Sequence, residues 1–143
     1  MLFSERLWPS PVFWVLAAAL GALLGLVPAP INPDAALLTS AAGVVVLITA
    51  LALSTPVISV DGEWFRAGRA RIRREFVADA VALDAGKMRE ARGRSLDARA
   101  YLCIRGWLPR GVKVTLRDPK DPTPYWLISS RRPEQLVSAL RGS

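Results

Sequence analysis

Two long stretches without a single charged side chain constrain this chain more than any other feature. No residue from Leu7 to Pro33 is charged, and none between Asp34 and Asp61 is. Apart from Glu5, Arg6 and Asp34, every charge lies at or beyond Asp61. The first run, Pro11 to Val27 with its uncharged approach from Leu7, gives roughly 20 residues at ~1.5 Å each. That length matches a hydrocarbon core of ~30 Å, so the pattern predicts a transmembrane helix over residues 11–30. Trp8 and Trp14 flank its start, where amphipathic rings favour the headgroup level. Pro9 and Pro11 are tolerated there because the first helical turn has no internal partner for its amides.

A second span is predicted over residues 35–55, with Val44 to Ile48 at its centre, Asp34 as its cap and Pro56 at its end. Between the spans, Pro28, Pro30, Asn32 and Pro33 predict a short stiff turn at 31–34 and hence antiparallel helices. A cleaved signal peptide is the competing reading of the first run. Glu5, the two prolines and the prompt second span argue against it.

The connecting turn has no Lys or Arg, whereas Arg6 precedes the pair and many arginines follow it. The positive-inside rule therefore puts both termini in the cytoplasm: a cytoplasmic segment 1–10, an extracytoplasmic turn, and a cytosolic domain over 56–143. The expected location is the plasma, or inner, membrane. Ala17, Gly21 and Gly25 recur every fourth residue and predict one helix face small enough for close packing. That face serves the second span of the same chain, or a homodimer.

Past Asp61 the composition changes. Residues 62–143 carry 18 Lys or Arg and 9 Asp or Glu, so this part alone is 18 − 9 = +9 against +7 for the whole chain. Val57 to Val60 leads through Asp61-Gly62, a hairpin signal, into Glu63 to Ala67. Arg69 to Arg73 alternates arginine with apolar residues. Further strands are predicted at 80–83, 100–104, 112–116 and 125–128, separated by Gly- and Pro-rich turns. Residues 88–97 are polar and predict a loop, and 129–140 a helix with Pro133 in its first turn. The fold class is a membrane α-helical hairpin plus an α+β, mostly-β domain of about seven antiparallel strands closed by one C-terminal helix.

That element order resembles the bacterial pleckstrin-homology-like fold, a bent sandwich plugged at one end by its last helix. At the two ends of the chain the likeness is sharper, in Ser4 to Trp8 and in Asp118 to Pro133, the Asp-Pro-Lys-Asp-Pro-Thr-Pro-Tyr-Trp-Leu-Ile-Ser-Ser-Arg-Arg-Pro run. These resemble an actinobacterial family of two-helix membrane proteins of unknown function. The resemblance implies a topology and brings no catalytic or binding residues with it.

The sequence excludes several function classes. With no histidine and a single cysteine, Cys103 in an apolar run, an internal disulfide is impossible and zinc, haem and triad chemistry have little to rest on. No catalytic residue, metal ligand or cofactor is expected, and the chain reads as no enzyme. Neither span holds an ionisable residue inside it, which argues against an ion pathway. Asp118 and Asp121 sit among prolines and read as a turn rather than an acid-base pair. Arg66, Arg69, Arg71, Arg73 and Arg74 follow the second span closely and are candidate membrane-surface contacts for anionic headgroups. Arg131 and Arg132, cations at a helix start, oppose its dipole and are candidates for a partner or anion contact, with Glu134 as an internal remedy. Nucleic acid is not expected, because Trp64, Trp107 and Trp126 lie in core-like runs. The expected role is a membrane-anchored interaction or assembly module with an unidentified protein partner. The alternative is an enzyme or lipid-headgroup-binding protein acting on a lipid or cell-envelope precursor.

Overall fold

The computed structural model describes residues 2–142, which form two compact units: residues 2–7 together with 56–142, and residues 8–55. The smaller unit is a pair of helices. Helix α1 spans Pro11–Leu23 and tightens into a 3₁₀ turn at Leu24–Leu26, and α2 spans Pro33–Leu53. The first helix stops short of the predicted residue 30, because Pro28 and Pro30 cannot donate to a continuing helix. Among the described residues only α2 is a helix long and apolar enough to cross a bilayer on its own. Its cap is Asn32 rather than the predicted Asp34: the Asn32 side-chain oxygen accepts the Asp34 and Ala35 amides at 3.0 and 3.3 Å. Asp34 instead sits in the first turn, where its charge suits the helix dipole.

Close approach of the two helices depends on glycine. A Cβ at Gly21 would lie 2.5 Å from the Val44 amide nitrogen and 2.6 Å from the Gly43 carbonyl carbon, and one at Gly25 would collide with Ser40 Oγ. Residues ascending α1 thus meet residues descending α2, the antiparallel hairpin that the short turn implies. Ser40 Oγ–H donates to the Ala22 carbonyl at 2.8 Å and adds a polar tie. Ala17, one turn before Gly21, is half-buried.

The larger unit is an α+β fold of two four-stranded sheets. The first is a meander of β1 (Phe3–Arg6), β2 (Val57–Val60), β3 (Trp64–Ala67) and β4 (Ala70–Arg73), all antiparallel. Residues 3–6, expected to be a cytoplasmic lead-in, are therefore a strand, and the domain expected at 56–143 is completed by the first residues of the chain. Gly68, at φ 62°, makes the two-residue turn into β4.

The second sheet holds β5 (Val77–Leu83), β6 (Tyr101–Cys103), β7 (Gly111–Leu116) and β8 (Tyr125–Ser129) in the order β5-β7-β8-β6. Against the about seven antiparallel strands expected, the described residues form eight, and β6 runs parallel to β8. The Pro-rich turn returns β8 between β7 and β6, antiparallel to the first and so parallel to the second. The first half of the expected loop at 88–97 is helix and the rest stays irregular: α3 covers Ala85–Arg92, started by Asp84, whose carboxylate accepts the Lys87 amide at 2.8 Å. A C-terminal helix is present as expected, but α4 covers Pro133–Arg141 rather than 129–140, because Ser129 still pairs within β8 and Pro133 opens the first turn.

Alternation sorts the strands into a core. Ile58, Val60, Phe65 and Ile72 of the first sheet and Val112, Val114, Trp126 and Ile128 of the second are buried with Leu136 and Leu140 of α4. The Trp126 ring lies 5.2 Å from Phe65 and from Tyr101. On the opposite face of the second sheet, Met88 of α3 packs with Leu83, Tyr125 and Leu127. Both faces of β8 are covered, which is why Tyr125 to Ile128 read as a continuous apolar run and all five of its residues are buried.

Candidate functional site

Strand pairing places side chains with little freedom, since directly opposed residues in an antiparallel sheet share a face. Turning Phe3, Ile58, Phe65 and Ile72 inward forces their neighbours outward. The outer face of the first sheet is built in three rows: Arg6 beside Val57, then Ser4, Ser59, Arg66 and Arg71, then Trp64 beside Arg73. Arg66, Arg71 and Arg73 are exposed, and so is Arg69 at the β3–β4 turn. The Trp64 ring is half-buried beneath the guanidinium groups of Arg71 and Arg73, whose carbons lie 5.0 and 5.6 Å from its centroid. Val57, 44% exposed, adds an apolar spot.

Five arginines were candidates for this surface, and the structure sorts them. Arg66, Arg71 and Arg73 share the face, Arg69 sits at its turn, and Arg74 turns away. Arg74 Nη2–H donates to the Ala139 carbonyl at 2.7 Å, and Nη1–H lies 3.3 Å from the carbonyls of Asp61 and Gly62. It ties the C-terminal end of α4 to the β2–β3 connection, a placement that also suits the helix dipole. The 3₁₀ turn Arg74–Phe76 breaks the strand period and carries Arg74 off the face. Arg6 and Trp64 belong to the face and were not among the candidates. Little in the sequence points to Arg6, because the short run Phe3-Ser-Glu-Arg-Leu7 puts the charged Glu5 at an inward position.

Arg131 and Arg132 have work inside the chain. The buried Glu5 carboxylate accepts Ser130 Oγ–H at 2.5 Å and the Arg131 amide at 2.8 Å. Arg132 Nη2–H donates to the Ser4 carbonyl at 2.8 Å, its guanidinium lies 5.0 Å over the Phe3 ring, and Arg131 Nη1–H reaches the Arg6 carbonyl at 3.4 Å. Both arginines thus occupy the outer edge of β1, whose outward carbonyls would otherwise invite another strand. Glu134, weighed as their partner, instead lies 3.7 Å from Arg110. Beside Arg132 a groove of about 770 Å³ runs between β1 and α4, lined also by Gln135 and Ser138.

The remaining candidates for chemistry have structural partners. Asp118 and Asp121 each accept a turn amide, those of Lys120 and Thr123, both at 2.9 Å. Arg99 bonds the Asp97 carboxyl and holds it below the usual carboxylate range. Cys103 is buried, and burial pushes its thiol pKa up. Burial likewise lowers the pKa of Arg92, which donates to the Leu108 carbonyl at 2.9 Å. Among the described residues no group of three or more His, Cys, Asp or Glu is placed to hold a metal ion.

A family model described as a protein of unknown function (DUF3093) matches residues 2–140, and the chain belongs to that family. No curated protein and no solved structure matches it.

Proposed function

We propose that this member of the DUF3093 family is a membrane-anchored interaction or assembly module without catalysis. Its hairpin would lie in the plasma membrane, with a pleckstrin-homology-like domain held at the inner face. The observation that carries the anchor is the surface of the hairpin. Leu37, Leu38 and Leu53 are each more than 70% exposed, with Val45 and Val46 close behind, and no charge interrupts the helix after Asp34. Apolar surface of that extent calls for lipid. The 21 residues of α2 give about 31 Å. The shorter α1 asks for a few ångströms of local bilayer thinning, which lipids accommodate at modest cost.

Pairing of β1 with β2 supports a common side for both ends of the hairpin, because one sheet receives the chain before and after it. The Lys and Arg of that unit favour the cytoplasmic side. Burial of Phe3 and Leu7 in the domain core counts against removal of the N-terminus as a signal peptide. Two sheets plugged by α4 suit the pleckstrin-like comparison, with the parallel β6–β8 pair as a departure from it. An actinobacterial membrane is the setting this reading takes. A basic, exposed sheet face suits a surface partner better than a small substrate.

The groove beside Arg132 is where the alternative, an activity on a lipid or cell-envelope precursor, would sit. Arg132 is already engaged with Ser4 and Phe3, so the module reading ranks first. Two measurements on native membranes test it. The tagged full chain should stay in the pellet on alkaline carbonate extraction, and release to the supernatant would overturn the anchor. Crosslinking followed by gentle solubilisation should recover a partner, and a strictly solitary monomer would overturn the module.

A further inference from the structure

We propose that the outer face of the first sheet is a contact surface for the anionic headgroups of a bilayer, the lipid supplying the counter-charge that the chain withholds. The inference rests on the membrane reading above and names the partner of that face. Its starting point is an unfavourable arrangement. Arg66 and Arg71 are register partners on one face, and like charges directly opposed in a sheet repel. Among the described residues no carboxylate pairs with either, while Arg73 has only the exposed Glu75, 3.5 Å away. Four arginines with Arg6, and a fifth at the turn, gather on a surface about four strands wide. Asp61 and Glu63 lie only in the connection at its far end.

A soluble acidic partner would satisfy charge alone, whereas this face mixes charge with apolar and aromatic groups. Trp64 lies beneath two guanidinium groups, and Val57 is exposed on the same face. Indole rings and arginines together suit the headgroup layer, where rings meet the acyl boundary and cations meet phosphate. Proximity favours the same occupant. Four residues separate β1 from α1, and three separate α2 from β2, so an inserted hairpin keeps this sheet at high effective concentration near the lipid surface. The contact is a broad surface, not a headgroup pocket, so it recognises charge density rather than one lipid species.

The test uses the full chain in nanodiscs of phosphatidylcholine, with and without phosphatidylglycerol, doped with brominated lipid. Quenching of Trp64 is read as the difference between the natural chain and Trp64→Phe, and quenching of the hairpin as the difference made by Trp14→Phe. Trp64 should be quenched in the anionic discs and released by salt. The triple variant Arg66→Gln/Arg71→Gln/Arg73→Gln, checked for intact near-ultraviolet dichroism, should lose that quenching. At about five-fold per arginine near an anionic surface, the three together should lower the docked-to-free ratio about a hundred-fold. Quenching of Trp14 without Trp64 in anionic discs would overturn this inference and leave the anchor standing. Absence of both signals would overturn the membrane reading itself. Equal, salt-insensitive quenching of Trp64 in neutral discs would refute the role of charge.

Discussion

Replacing Glu5 with alanine should unfold the β-rich unit at a much lower temperature, although Glu5 belongs to a four-residue strand at the start of the chain. Glu5 is 5% exposed, and its carboxylate accepts two hydrogen bonds from residues 125 and 126 positions away, Ser130 Oγ–H at 2.5 Å and Arg131 N–H at 2.8 Å. Hydrogen bonds to a charged group contribute roughly 1.5–3 kcal/mol each, and truncation leaves both donors without their acceptor. Removing the buried charge returns part of its desolvation, so a net loss of about 3 kcal/mol is expected. For a unit of this size each kcal/mol moves the midpoint by roughly 4–8 °C, which gives a fall of about 12–24 °C. Glu5→Gln keeps the carbonyl that meets Arg131 and should lose about half as much. The assay is thermal unfolding of the full chain in detergent micelles, followed by near-ultraviolet dichroism. A Glu5→Ala midpoint within experimental error of the natural chain, or a Glu5→Gln loss equal to that of alanine, would refute the reasoning.

Other expectations follow from the helix pair and the core. Gly21→Ala places a methyl group within 2.6 Å of backbone atoms of Gly43 and Val44, which cannot rotate away, so the helices must separate at about 1–3 kcal/mol. Disulfide crosslinking of cysteines introduced on facing helix positions should slow in that variant and should be unchanged in Ala19→Leu, on the exposed side. The Cys103 thiol, raised by burial with a smaller opposing influence from Arg105, should resist iodoacetamide at pH values where an unfolded thiol reacts readily. The sign for stability follows: the contribution of the neutral thiol is intact below the ordinary value of 9.0 and is lost as pH rises toward the folded value. Cys103→Ala should remove that alkaline dependence in a urea titration.

Legibility of the fold varied with how local its causes are. Strands β2 to β4 announce themselves through the Asp61-Gly62 turn and the alternation of Arg69 to Arg73, all within neighbouring residues. Strand β1 did not, because four residues carry little periodic signal and one of the inward positions is the charged Glu5. Its partner strand lies some fifty residues on, beyond both helices. The parallel β6–β8 pair is a consequence of where β8 inserts, a tertiary choice that no local pattern records. Helix α3 was obscured by Gly86 and Gly93 at either end of a polar run, although Asp84 before Lys87 is a recognisable cap. The basic face was legible as alternating arginines, but its membership depended on register. Arg74 left it through the 3₁₀ turn, and Arg6 joined it through a strand unseen in the sequence.

That strand also decides what counts as the folded domain. The chain leaves the first sheet at Leu7 and re-enters at Pro56, whose carbonyl accepts the Leu7 amide at 3.0 Å. A fragment beginning at Pro56 would keep seven strands yet lose the burial of Phe3 and Leu7, at roughly 1.5–3 kcal/mol for each side chain. It would also lose the Glu5 bonds, and the total approaches the whole net stability of a small domain. Strand β2 would become a bare edge, while Arg131 and Arg132, which occupy the outer edge of β1, would have nothing to cover. Residues 56–143 alone should therefore be molten or aggregating. The same fragment with residues 1–7 joined by a flexible linker should regain cooperative unfolding without either helix. Cooperative unfolding of the bare fragment near the midpoint of the full chain would show that β1 is an appendage rather than part of the domain.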